Sequence, residues 1–312
     1  MLPCLVTGPM ALLPVGQQRT GPNRTHSDRK RIIVGIELRG LAGKKVLVTG
    51  GAKGQGFNHA KAFAEAGCDV AIIDICKPID NIYGLSTPEM MTAAVKAVED
   101  RGQRGIALPC DIRNEDEVQA AVGKALDAFD GVINILVNNA GIAALDFIHQ
   151  MRSDTLHAVI DTCLKGTMFV TKYAVDNMIG RREGKIINIS SAVTGSGHAM
   201  LSHYVAAKHA VNGLTTSWAT ELSEFNINVN AICPATIRPG EGQGSGMVSG
   251  LSGEMGMDPE DAFETFSGGN MAGEKWRCEM QHITDAVLFL ASSNADMITG
   301  TILPVDCGQM SK

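Results

Sequence analysis

The sequence predicts a single α/β domain built on a doubly wound, seven-stranded parallel sheet. Two observations carry this. From about residue 41 onward, short apolar β-branched runs alternate with amphipathic helical patterns. No internal repeat and no linker divides that alternation.

The elements follow in order. Lys45 to Thr49 (KVLVT) is a short buried strand, followed at once by the glycine loop GGAKGQG, Gly50 to Gly56. The next helix places Phe57, Ala60, Phe63 and Ala64 on one side and stops at Gly67. Asp69 to Ile73 is the second strand, ending at Asp74. Cys76 to Ser86 is a loop longer than an α/β unit needs. Thr87-Pro88-Glu89 opens a helix as N-cap, first-position proline and first-turn acid. A third strand lies near Ile106 to Leu108. Asn114 then caps the helix with the clearest period in the chain, Val118, Ala121, Val122, Ala125, Leu126 and Phe129. Ile133 to Val137 is the fourth strand, running into Asn138-Asn139-Ala140-Gly141. A helix over about Asp154 to Met178 leads to the fifth strand, Lys185 to Ile189, and then to a long helix carrying Tyr204 and Lys208. Ile227 to Ile232 and Thr301 to Val305 complete the strands, with a helix over Asp285 to Ser292 between them. Residues 235–281, rich in Gly, Met and acid and weakly periodic, read as a substrate lid.

Residues 1–40 differ from the rest. They lack periodicity and a basic, apolar, small-residue signal pattern, and they read as a disordered extension or as extra residues from an upstream start.

Bulk properties exclude several functions. The 312 residues are 45% apolar with 35 glycines, which suits a core-rich fold with many tight turns. A net charge of −6 argues against a nucleic-acid partner and against a polybasic membrane surface. No apolar run approaches the ~20 residues of a membrane span. The 8 cysteines are scattered without CxxC spacing, so no metal site is expected, and reduced, buried thiols fit a cytoplasmic protein.

The motifs carry the chemistry. Gly50, Gly54 and Gly56 stand between a strand and a helix start, where glycines let backbone N–H groups approach a pyrophosphate. Lys53 and Gln55 lie within the same loop. Asp74, about 20 residues on, is placed to bind adenosine-ribose hydroxyls and to repel a 2′-phosphate, although Lys53 pulls the other way. Tyr204 and Lys208 share one helix face, which describes either a packed ring beside a solvated amine or a phenol whose pKa an ammonium lowers.

Taken together, the motifs resemble the short-chain dehydrogenase/reductase family over essentially everything after residue 40. TGGAKGQG (Thr49 to Gly56) looks like its TGxxxGxG loop, Asn138 to Gly141 its NNAG, and Tyr204 to Lys208 (YVAAK) its YxxxK. Ser191, thirteen residues before Tyr204, matches its serine. The resemblance implies a Rossmann-like fold, NAD as cofactor, and hydride transfer between a secondary alcohol or ketone and the nicotinamide. Tyr204 would be the general acid/base, Ser191 would hold the substrate oxygen, and Lys208 would lower the Tyr204 pKa and bind the nicotinamide ribose. Asp111 and Ile112 would contact adenine, and Asn139, Ala140, Gly141, Pro234 and Ile237 would line the cofactor. It also implies a homotetramer or homodimer.

Three departures matter. Cys163 stands where the family has an Asn that supports a proton-relay water, in a role shared with a backbone carbonyl at a helix irregularity. Pro239 replaces a hydroxyl near the nicotinamide, and residues 240–273 are unusually rich in glycine. The peptide IDICKPID and its extended loop resemble a carveol-dehydrogenase-like branch, in which NAD is held without exchange and reoxidised through a mycofactocin-type acceptor. Met247, Met255, Met257, Phe263, Phe266, Met271 and Trp276 suit an apolar alcohol and equally suit ordinary lid packing. A 3-oxoacyl reductase and a non-catalytic NAD-binding regulator are the competing readings.

Overall fold

The computed structural model describes residues 37–240, 246–267 and 277–311. The expected extension therefore lies almost wholly outside the described residues, as do Met271 and Trp276 of the expected lid. Residues from Leu38 onward form one compact unit.

The strands are β1 (Lys45–Thr49), β2 (Asp69–Asp74), β3 (Gly105–Pro109), β4 (Ile135–Asn138), β5 (Gly184–Ile189), β6 (Ile227–Pro234) and β7 (Ile302–Val305). All pair in parallel in the order β3-β2-β1-β4-β5-β6-β7. Successive residues of a strand face opposite sides, and here both sides are apolar because helices cover both. Val46, Val48, Val70 and Ile72 pack toward α1 (Gly54–Glu65), α2 (Pro88–Glu99) and, late in the chain, the helix Met280–Ala291. Leu47, Ala71, Ile73 and Leu136 pack against α3 (Glu115–Ala128) and the helices of the opposite layer.

The expected caps form. Thr87 Oγ1 accepts the Met90 N–H at 3.3 Å, and Asn114 Oδ1 accepts the N–H groups of Asp116 and Glu117 at 3.0 and 3.2 Å. Strand β4 starts two residues later than the sequence indicates, because the Ile133 N–H is taken by the Asn177 side chain at 3.0 Å. The helix expected over 154–178 is α4 (Ser153–Ile160) and α5 (Thr167–Arg181), joined by a π-helical turn over Asp161–Gly166. The long helix carrying Tyr204 is α6 (Ser202–Leu222). In the expected lid, two short helices appear, α7 (Met247–Met255) and α8 (Pro259–Phe266). Gly256, at φ +64, ends the first, and the Asp258 side chain caps the second. The last helix, α9 (Met280–Ala291), begins five residues before its expected start, with Glu279 and His282 forming a capping box.

One ion cluster ties the amino-terminal ends of three strands together. Asp69 accepts from Lys45 Nζ at 2.6 Å, and from the Arg104 backbone N–H and Nε, both at 2.8 Å. Burial alone would raise its pKa, but these donors outweigh it and hold the carboxyl near 2. A carboxylate held below its unfolded value contributes stability that is complete above about pH 5 and is lost as pH falls toward 2. Asp69→Asn should therefore cost on the order of 1–3 kcal/mol at neutral pH. Urea unfolding at pH 7 and at pH 3 checks it: the gap between parent and variant should narrow at the lower pH.

Candidate active site

The connections after β1 and β4 leave toward opposite faces of the sheet, so the carboxyl ends of these neighbours flank a crevice. A reciprocal clamp fixes its floor. Thr49 Oγ1 accepts the N–H groups of Asn139 and Ala140, each at 3.0 Å, and Asn139 Nδ2 donates to the Thr49 carbonyl at 2.9 Å. Gly50 sits at φ +65 and has Ala140 Cα where a side chain would go. A Cβ on Gly56 would overlap the Gly50 carbonyl.

A cavity of about 270 Å³ opens here. Gly50, Lys53, Gly54, Gln55, Asp74, Asp111 and Ile112 line it, with Asn139 to Gly141, Ser191, Tyr204, Lys208, Pro234 and Ile237. Of the predicted catalytic and cofactor residues, Gly56 alone stands outside the lining. Its part is to let α1 pack against the loop rather than to touch a ligand. Of the described candidates for the alcohol pocket, Met247 and Phe266 line the cavity and Met255, Met257 and Phe263 do not.

The cavity fits a dinucleotide. The first turn of α1 carries no acid and no side-chain cap, which leaves its N–H groups and dipole for an anion. Gln55 Oε1 is buried there without a protein partner. Asp74 Oδ2 accepts the Ala52 N–H at 2.9 Å, while Oδ1 accepts the Ile75 N–H at 2.8 Å and the Ser86 hydroxyl. Lys53 Nζ donates to the Gly84 carbonyl at 2.9 Å, so its ammonium ties down the Cys76–Ser86 loop. Asp111 is held by Arg113 through Nε at 2.9 Å and Nη2 at 2.7 Å.

At the other end, β5 and α6 bring three groups together. Ser191 follows β5, and its side chain both accepts the Val193 N–H at 3.3 Å and hydrogen-bonds Tyr204. Lys208 Nζ donates to the Ile189 carbonyl at 2.8 Å and lies 5.6 Å from the centre of the Tyr204 ring. The spacing in sequence predicts that Lys208 lowers the Tyr204 pKa; in the structure burial weighs the other way. Burial pushes the phenol well above its usual value, the Cys163 sulfur adds to this, and the Ser191 hydrogen bond opposes it. Burial likewise lowers Lys208. Cys163 lies on the π-turn, its thiol donating to the Ile142 carbonyl at 3.3 Å and its own carbonyl accepting from Thr167 at 3.0 Å. The helix irregularity is thus present, with a thiol on it. The Thr236 hydroxyl, near Pro239, donates to the Phe266 carbonyl at 3.1 Å.

A family model described as short chain dehydrogenase matches residues 44–243. The chain belongs to that family. Its relatives include a (-)-trans-carveol dehydrogenase from Rhodococcus erythropolis, 35% identical over 275 residues that span 87% of this chain and 99% of that protein. A 3-oxoacyl-(acyl-carrier-protein) reductase from Thermotoga maritima is 32% identical over 86% of this chain and 98% of its own length. Among solved structures, a carveol dehydrogenase from Mycobacterium avium in complex with NAD superposes with a TM-score of 0.78 at 32% identity, covering 87% of this chain and 99% of that one.

Sequence reasoning missed several residues that line the short-chain dehydrogenase cleft. Ser86, Tyr83 and Thr162 do so, as do His198 and Gln309, whose side chains meet at 3.5 Å. Only the length of the Cys76–Ser86 loop signalled the first two. Among the described residues no group of three His, Cys, Asp or Glu could hold a metal.

Because a Cβ at position 56 meets backbone, Gly56→Ala should weaken dinucleotide binding at least tenfold, while the far-ultraviolet circular dichroism stays that of the parent. The NAD content of the purified variant against the parent, and calorimetric titration of both proteins after the bound nucleotide is removed, check this.

Proposed function

We propose that this short-chain dehydrogenase oxidises an apolar secondary alcohol, or reduces the matching ketone, with NAD, and that Ser191, Tyr204 and Lys208 carry the proton side of the reaction. The observation that carries it is the placement of Ser191, Tyr204 and Lys208 at one end of a cavity whose other end presents Asp74. NAD supplies the hydride acceptor or donor. The glycine loop, Asp74, Asp111, Ile112, Asn139 to Gly141, Pro234 and Ile237 would hold it. A 2′-phosphate would meet the Asp74 carboxylate, and Lys53, the cation within the glycine loop, is engaged with Gly84.

Tyr204 gives its proton to the carbonyl oxygen in reduction and takes the hydroxyl proton in oxidation. Ser191 holds the same oxygen and orients the phenol. Lys208 keeps a positive charge beside the ring, which favours the phenolate whenever the proton leaves. The walls exclude water: Ile142, Leu201, Met247, Leu251 and Phe266 line the alcohol end. This apolar lining and the carveol dehydrogenase relatives support a cyclic or terpenoid alcohol. An acyl-carrier substrate is the weaker reading, since the chain is acidic overall and Asp74 disfavours NADP.

Ser86 and Lys53 fasten the long loop across the adenosine end, which supports a cofactor that does not exchange and is reoxidised by a mycofactocin-type acceptor. Met168, 42% exposed on α5, supports a homodimer or homotetramer through α5 and α6. No helix of the described residues is long and apolar enough to cross a membrane, and we place the protein in the cytoplasm. Residues 235–281 act as the lid.

Tyr204→Phe should lower turnover about 10²–10⁴-fold on alcohols and ketones and leave NAD binding intact. A parent that binds NAD yet turns over nothing on a broad panel would make the protein a regulator. The raised Tyr204 pKa sets the sign of the pH dependence: the phenolate needed for oxidation exists above that pKa and the phenol needed for reduction below it. Between pH 6 and 9, kcat/KM should climb with pH for oxidation and stay flat for reduction. Denaturing the purified protein and assaying the released nucleotide tests cofactor retention. Stoichiometric NAD is expected, and an empty protein that exchanges added NAD rapidly would overturn it.

A further inference from the structure

The loop that fastens onto Asp74 does a second thing at the opposite end of the cavity. After Lys77 it crosses the mouth of the cleft, and Tyr83 turns inward to line the same space as Tyr204, Leu201 and Leu251. Tyr83 packs with them in one apolar cluster that joins the loop to α4, α6 and α7.

Both ends of Tyr83 are fixed. Its phenol oxygen accepts the Ala143 N–H, just beyond the NNAG segment, and its backbone N–H donates to the Glu254 carboxylate on α7. Its Cγ and Cδ2 lie against Gly250 of α7, where any Cβ would overlap the ring. Glycine inside a helix costs about 1 kcal/mol relative to alanine. Gly253, on the same helix, has nothing within 4 Å of a Cβ position, so the close approach is particular to Gly250. The ring therefore occupies a slot between the lid helix and the catalytic tyrosine, with its orientation set before any substrate arrives.

We propose that Tyr83 is the substrate-positioning residue of this enzyme: its ring, held between Gly250 and Ala143, is the wall against which the carbon skeleton of a cyclic apolar alcohol rests while Ser191 and Tyr204 hold the oxygen. The inference rests on the alcohol dehydrogenase reading given above. It assigns the size limit of the alcohol pocket to the cofactor-side loop as well as to the lid. A small acyclic alcohol would reach Tyr204 without touching that wall, so the two substrate sizes separate the role from a general one.

The test compares cyclohexanol with 2-propanol, following alcohol oxidation through reduction of a dye electron acceptor, which does not require the cofactor to leave, by the full-length protein and its Tyr83→Ala, Tyr83→Phe and Gly250→Ala variants. Tyr83→Ala should raise KM for cyclohexanol at least tenfold with kcat within threefold, and leave kcat/KM for 2-propanol within threefold. Tyr83→Phe, which keeps the ring against Gly250 but loses the Ala143 bond, should fall between the parent and Tyr83→Ala for cyclohexanol and match the parent for 2-propanol. Gly250→Ala moves the ring without altering it and should raise KM for cyclohexanol alone; it carries the test if Tyr83→Ala does not fold. An independent readout is calorimetric binding of cyclohexanone to the NAD-loaded Tyr204→Phe protein, expected to weaken at least tenfold when Tyr83→Ala is added. Unchanged cyclohexanol KM in the variants, or equal losses on both alcohols, would overturn the assignment of Tyr83. If the parent oxidises neither alcohol, the activity reading fails for these substrates, and the calorimetric comparison alone decides the role of Tyr83.

Discussion

The active site is organised around a buried ammonium that has no carboxylate partner. Lys208 is 3% exposed, and no acid pairs with it among the described residues. Burying a charge without compensation costs several kcal/mol, so the surrounding backbone has to offer acceptors in fixed places. The sheet supplies one. Ser190 donates its N–H toward β6, so the preceding residue, Ile189, turns its carbonyl toward β4. The β4–β5 ladder ends at the Asn138–Asn188 pair, because Asn139 bends away to Thr49. The Ile189 carbonyl is left free of the ladder, and Lys208 takes it. The same bend at Asn139 that shapes the cofactor floor thus creates the acceptor that lets the cation be buried.

A second constraint links the two ends of the cavity. Asp74 would be a solvated strand-end acid if the chain after it turned directly into a helix. Instead it gathers three donors, one of them Ser86, and the loop between is drawn over the crevice. Lys53 and Asn81 add further fastenings, the latter to Asp154 at 2.5 Å. Asp74 and Tyr83, which line opposite ends of the cavity and which the proposed function assigns to the adenosine ribose and the alcohol, then belong to one short segment. Movement of either end is opposed by the bonds of the other.

Much of this was legible in the sequence, and the reason is locality. The strands follow from consecutive apolar residues, and the glycine loop, NNAG, Ser191 and YxxxK are short motifs whose geometry their own neighbours impose. What escaped depends on contacts distant in sequence. Tyr83 and Ser86 look like ordinary loop residues until Gly250 and Asp74 are placed against them. The lid helices were hidden for another reason: α7 has Met247, Leu251 and Met255 at helical spacing, but two glycines in nine residues lower its helix propensity. Yet Asp258-Pro259-Glu260 has the same cap, proline and acid order as Thr87-Pro88-Glu89, so the start of α8 was readable from local chemistry. For Tyr204, spacing reveals the neighbouring ammonium and conceals the depth of burial, which pushes the phenol up.

The π-turn at Asp161–Gly166 closes the argument about proton movement. In the mechanism proposed above, a proton taken by Tyr204 has to leave past Lys208 through groups that both accept and donate. An amide at position 163 would offer two donors and an acceptor, whereas a thiol is weak in both roles. Cys163 directs its one proton to the Ile142 carbonyl, away from any exchange with Lys208. The turn compensates geometrically. A π-turn breaks the regular i→i−4 ladder of the helix and leaves backbone carbonyls with unused capacity, which an uninterrupted α-helix would not provide. Main-chain oxygens accept and cannot donate, so under the proposed mechanism those at the turn would hold a water that carries the proton from Lys208 to solvent. Under that reading the turn, rather than the side chain at position 163, is what the relay requires.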